Sequence, residues 1–432
     1  MRPTAGPSGL LTLTLLLTIW AAGRAGAGIT ERVSVSSEGT QGDRASDDSI
    51  VSGNGRLVAF RSFASNLVAG DTNSDLDIFV HDRKTDVTTR VSVDSEGAQA
   101  NDRSVDPSLS KNGRFVVFTS DASNLVLDDT NGASDVFLHD RKTGKTTCVS
   151  VDSAGSQGNG ASHSARISAN GRFVAFESAA TNLVSGDTNG KSEIFVHDRK
   201  TGETTRVSVD SSGAQANDFS EYVSISASGR FVAFGSNATN LVADDTNAAF
   251  DLFVHDRKTG QITRVSLDSA GNQADDNSYF PSLSANGRHV AFESAATNLV
   301  QGDSNGTLDV FHHDRKKGVT RRVSIGLSVT QGNGGSLSAA ISANGRRIVF
   351  QSDASNLVDA DTNNRSDIFL HDRKKGVTIR VSVDSAGSQA NHDSSSPVVS
   401  AKGRHVVFHS VATNLAPDDT NGQKDVFIRK VN

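Results

Sequence analysis

The sequence predicts an all-β chain, a seven-bladed β-propeller of 58-residue four-stranded repeats, and three observations carry that prediction. A His-Asp-Arg-Lys tetrad recurs at His81, His139, His197, His255, His313 and His371, each 58 residues after the last, with Arg429 in the seventh slot. A Gly-Arg pair keeps the same period from Gly55 to Gly403, so seven units follow one another with no insertion or deletion between these markers. The two ends of the array also complement each other. Arg32-Val33-Ser34-Val35 copies the fourth strand of a unit, whereas the last unit stops soon after Asp425-Val426-Phe427-Ile428. A long chain with one core per repeat does not have to divide into separate domains.

The chain opens with Met1-Arg2, an apolar stretch from Leu10 to Ala22, and Ala25-Gly26-Ala27. A basic start, a short apolar core and a small-x-small ending predict a secretory signal peptide over residues 1–27. The stretch is shorter than the roughly 20 residues that span a bilayer. The propeller then occupies residues 28–432, and no later stretch is apolar enough to span. Without residues 1–27 there remain 41 basic and 49 acidic residues, a balance of −8, which is unlike the basic footprint of a nucleic-acid binder. Cys148 is the single cysteine, so stability has to come from burial rather than from an internal disulfide.

Each unit holds four short runs that read as strands, as in Pro281-Ser282-Leu283-Ser284 for the first and Arg172 to Phe176, Glu193 to Val196, and Thr205 to Val209 for the others. The run Phe173 to Phe176 is apolar on both faces, which suits a sheet sandwiched between two others. Asn170-Gly171 and Lys200-Thr201-Gly202 are tight-turn signals that join consecutive strands into an antiparallel meander. Such sheets could stack openly or close radially. Closure is favoured because the strand at Arg32 can complete the last blade and leave no bare edge.

The pattern Ile167-Ser-Ala-Asn-Gly-Arg-Phe-Val-Ala-Phe176, followed by Ile194-Phe-Val-His-Asp-Arg-Lys-Thr-Gly202, resembles the WD40-like repeats of the TolB-like (PD40-type) propellers of bacterial exported proteins. The resemblance covers essentially all of Ile29 to Asn432. It implies the fold and a surface for binding proteins or other ligands, but not one activity. The separate N-terminal domain of TolB-like proteins is not expected here.

Asp-Thr/Ser-Asn-x-x-x-Asp/Glu recurs in every unit, first as Asp71, Asn73 and Asp77, then Asp129, Asn131 and Asp135, then Asp187, Asn189 and Glu193. Hard oxygens at this spacing supply part of a calcium shell, which wants six to eight oxygens. The alternative is an Asx-turn in the loop entering the third strand. The His-Asp pairs read as structural, at strand ends around a ring and too far apart to share one metal, with the Arg-Lys turn after them solvated. There is no Gly-x-Ser-x-Gly elbow or phosphate loop, and Trp20, the single tryptophan, belongs to the signal peptide.

The informative positions are those where the units disagree. Each innermost strand opens on a serine, from Ser46 to Ser394, and the next two residues vary from unit to unit. Candidate ligand-binding residues at the channel mouth are therefore Asp47, Asp48, Asp106, His163, Glu221, Tyr222, Tyr279 and Phe280. A glutamine in each loop leading there, from Gln41 to Gln389, is expected to add to the site. The reading is an exported, non-enzymatic binding or scaffold protein of the periplasm or extracellular space. Its partner is expected to be another envelope or extracellular protein rather than nucleic acid, and no cofactor is expected other than calcium. Two alternatives stay open: a hydrolase or lyase using Glu221 and His163, and a calcium-stabilised structural or adhesive ring.

Overall fold

The computed structural model describes residues 28–326 and 329–432, so the expected signal peptide lies outside the described residues. Seven four-stranded antiparallel sheets form seven blades. Blade 3 is representative, running from Ser162–Ile167 through Phe173–Ser178 and Glu193–Asp198 to Glu203–Arg206. The seventh sheet takes three strands from the end of the chain and one from its start. Thr30–Arg32 pairs antiparallel with Asp425–Lys430, Thr30 opposite Arg429 and Arg32 opposite Phe427.

The fourth strands end earlier than their apolar pattern suggests. Beyond Glu203–Arg206 the Val207 amide still donates to the Ile194 carbonyl at 2.8 Å, but the Ile194 amide donates to Ser208 Oγ at 3.1 Å instead of back to the strand, so the ladder ends there. The next residues form a short bridge, Val209 with Gln215, that recurs in every unit.

The core is seven apolar wedges, each shared by two neighbouring blades. One joins Val136, Leu138 and Val149 of blade 2 to Ile167, Val174 and Phe176 of blade 3. A phenylalanine pair across the second and third strands, such as Phe176 with Phe195 at 5.9 Å, repeats in all seven blades. These sheets are buried on both faces, which is why their strands read as continuous apolar runs. The Gly-Arg marker serves the same seam. Gly171 sits at φ +75°, and a Cβ there would lie 2.2 Å from Phe115 of the preceding blade, so both turn and packing require glycine.

The tetrads hold blades together. His197 Nδ1 lies 2.9 Å from Thr204 Oγ1, and burial lowers its pKa. Asp198 takes a bidentate contact from Arg172 at 2.8 and 2.6 Å, which brings its pKa down to about 2. The arginine of the tetrad is not solvated as expected. Arg199 donates to the Gly171 carbonyl and lies 4.2 Å over the Phe115 ring of blade 2, since its flat cation packs on an aromatic face.

Candidate functional site

All seven innermost strands carry a β-bulge at the same place. In blade 4 the register jumps between Glu221 and Ser224, which leaves Tyr222 and Val223 opposite a single residue. The third residue of each such strand is consequently left-handed: Asp48, Asp106, Ser164, Tyr222, Phe280, Ser338 and Ser396, with φ between 44° and 60°. For aspartate this is tolerable, but for tyrosine and phenylalanine it costs on the order of 1–3 kcal/mol each. A bulge re-aims the side chain it carries. Here it brings all seven residues to a cavity of about 540 Å³ that reaches residues of every innermost strand, the central channel.

Asp48, Asp106, Tyr222 and Phe280 thus line one cavity. Asp47, His163, Glu221 and Tyr279 are adjacent but are not part of its lining. Asp47 binds Arg61 at 2.7 Å and Lys424 at 3.3 Å. Burial would raise its pKa, yet the two cations hold it below the ordinary value. His163 Nδ1 lies 3.2 Å from Glu177, which raises its pKa. The pKa of Glu221 is raised by burial and by the charge of Glu177. Tyr279 stacks on Phe250 at 5.6 Å.

The wall of the cavity is uneven. Tyr222 and Phe280 meet at a ring-centroid distance of 4.1 Å, backed by Phe250 at 5.6 Å from Tyr222. In blades 1 and 2 the Asp106 amide donates to Asp48 Oδ2 at 3.0 Å. Burial and the neighbouring Asp106 carboxylate push the Asp48 carboxyl up to about 6, against the opposing charges of Arg61 and Arg166.

Two charged residues of the lining, Glu177 and Arg166, were not among the sequence candidates. Glu177 is 3% exposed and accepts the Tyr222 amide at 2.7 Å, tying blade 3 to the strained residue of blade 4. Glu293 does the same for Ser338, and burial raises its pKa. The signal was available: the fifth residue after each Gly-Arg pair is Arg61, Thr119, Glu177, Gly235, Glu293, Gln351 or His409, a column as unlike itself as the chosen ones.

The loop glutamines do not join the site. Gln99 Nε2 donates to Asp71 at 2.9 Å and Asp77 at 2.8 Å, drawn there because two buried carboxylates need donors. Ser92 donates to Asp77 at 2.5 Å, and Arg90 stands 3.5 Å from both acids. Asp187 and Glu193 are held alike by Gln215 and Arg206. The asparagines make the expected Asx-turns: Asn73, Asn131 and Asn189 each accept the amide two residues on, at 3.1, 2.8 and 2.9 Å. The calcium candidates therefore already have partners, and among the described residues no three His, Cys, Asp or Glu side chains are grouped to hold a metal. Blade 2 departs from the rule. Asp129 and Asp135 share Gln157, but Cys148 stands where Arg32, Arg90, Arg206, Arg264, Arg322 and Arg380 stand elsewhere. Burial pushes the Cys148 thiol up to about 12.

A larger cavity, about 800 Å³, lies at the outer strands of blades 5 and 6. Its lining includes His371 and Arg373 of a recurring tetrad together with His312, and it draws on two neighbouring blades rather than on all seven.

No family model and no curated protein matches the sequence. Solved structures do match by shape. Oligogalacturonate lyase in complex with manganese aligns with a TM-score of 0.55 at 14% identity over 93% of each chain. The β-propeller domain of the trilobed protease from Pyrococcus furiosus aligns at 0.53 and 13% identity over 90% of this chain and 94% of that one. TolB from Acinetobacter baumannii aligns at 0.42 and 15% identity, over 78% of this chain and 63% of its own. At such identities the likeness speaks of fold alone. The strand topology makes the chain a seven-bladed β-propeller, and TolB proteins are among the solved structures that match it by shape.

Proposed function

We propose that this chain is an exported, non-enzymatic binding protein whose channel mouth recognises a ligand or a partner of the periplasm or extracellular space. One observation supports this reading above the rest. The bulged residues that every innermost strand brings to the cavity differ from blade to blade, while the phenylalanine pair of the apolar wedges recurs in all seven. Packing favours sameness among equivalent blades, and recognition favours difference. The placement favours binding over a hydrolase or lyase, because neither Glu221 nor His163 lines the cavity. A calcium-stabilised ring is disfavoured by the arginines already paired with six of the seven acidic turns.

Affinity capture from envelope extract and culture fluid, comparing the wild type with Tyr222→Ala/Phe280→Ala, tests the proposal. A molecule retained by the wild type and lost from the variant, at an unchanged unfolding midpoint, is expected. Equal capture by both would place recognition elsewhere.

A further inference from the structure

The ring of bulged residues has two unlike sides. Neighbouring blades of a seven-bladed ring are about 51° apart, so the pair of blades 1 and 2 stands about 154° from the pair of blades 4 and 5. The first pair presents Asp48 and Asp106, the second Tyr222 and Phe280, and serine fills blades 3, 6 and 7. Carboxylates therefore face aromatic rings across the channel.

Both sides oppose folding. Phe280 is 48% exposed while its backbone is left-handed at φ +49°, and neither state helps folding. Tyr222 shares the strain at φ +60°. Opposite them, Asp48 stands beside the like charge of Asp106, and the nearby guanidinium of Arg61 is committed to Asp47 at 2.7 Å and only reaches 3.9 Å from Asp48. Among the lining side chains the carboxylates of Asp48, Asp106 and Glu177 outnumber the single guanidinium of Arg166. An organic cation answers both requirements, since its charge offsets the carboxylates and its face or methylenes cover the rings, to which cations are also attracted. The volume, about 540 Å³, suits a small molecule or the side chain of a larger partner.

We infer that the channel mouth takes a ligand carrying an ammonium or guanidinium group on an apolar body, seated between the Asp48 and Asp106 carboxylates and the Tyr222 and Phe280 rings. This rests on the channel-mouth reading above and specifies its ligand class.

Calorimetric titration of the full chain with phenethylammonium, phenethyl alcohol and hydrocinnamate tests it, since the three probes share a ring and differ in charge. The ammonium is expected to bind at least about 10-fold tighter than the alcohol, with hydrocinnamate weakest. Asp48→Asn/Asp106→Asn should bring the ammonium to the level of the alcohol and leave the alcohol unchanged. Phe280→Leu, which keeps an apolar side chain without the ring, should weaken all three. If the alcohol or hydrocinnamate binds as tightly as the ammonium, the cation assignment is overturned, while loss of binding in Phe280→Leu would keep the channel-mouth reading standing. If none of the three binds, this inference is overturned, and the channel-mouth reading is judged by the capture experiment alone.

Discussion

At Asp48 a carboxyl with an ordinary value of 3.8 is raised to about 6 by burial and by Asp106, with Arg61 and Arg166 pulling the other way. A raised carboxyl means that the folded state holds a proton the unfolded chain has released, so stability falls as pH climbs from about 4 to 6 and stays lower above. Asp48→Asn keeps an acceptor for the Asp106 amide and tolerates the left-handed backbone. It should gain about 1–2 kcal/mol over the wild type at pH 8, after discounting for water in the channel, where the side chain is 35% exposed. At about pH 4 the gain should vanish, and thermal unfolding at both values decides. Individual residues were legible where units disagreed, which found Asp48, Asp106, Tyr222 and Phe280. Glu177 was hidden because its strand, Phe173–Ser178, reads as an apolar run, and a buried glutamate in such a run shows its purpose only beside the amide it accepts.

At the scale of the element, each blade carries one acid, glutamine and arginine cluster where its third strand begins, and blade 2 lacks the arginine. Its Asp135 pKa is raised by burial, with Ser150, Asn131 and Gln157 opposing and the charge of Asp129 adding to the rise. Cys148→Arg restores what six other units have. It should stabilise the protein by about 0.5–2 kcal/mol, the usual return of a consensus substitution. A calcium chelator should leave the unfolding midpoint of both proteins unchanged, because the acids are held by protein donors. A midpoint that drops with chelator in the wild type but not in Cys148→Arg would instead assign a metal to blade 2. Composition alone could not separate calcium shell from ion pair: the motif Asp-Thr-Asn-x-x-x-Asp supplies oxygens for either, and the partners Gln99 and Arg90 lie 28 and 19 residues after Asp71.

Across the whole molecule, the ring is closed by the short strand Thr30–Arg32 and by Val33, whose amide donates to the Val426 carbonyl at 2.8 Å. Val33→Pro removes that donor and orphans a buried acceptor, at a cost of about 1–3 kcal/mol beyond any loss of packing. Val33→Ala, which keeps the amide, measures the packing share. The proline variant should unfold earlier and form larger species on a sizing column, because the edge of the last blade is bared. The 58-residue period, the paired turn glycines and the two-faced apolar runs by themselves determined the number of blades, their four strands and the closure of the ring, because repeat and alternation are properties of the chain taken in order. Only the tertiary structure decided which variable side chains share the channel. A bulge of one residue separates Tyr222, at the cavity, from Glu221, beside it, and no periodicity in the sequence marks where a ladder slips.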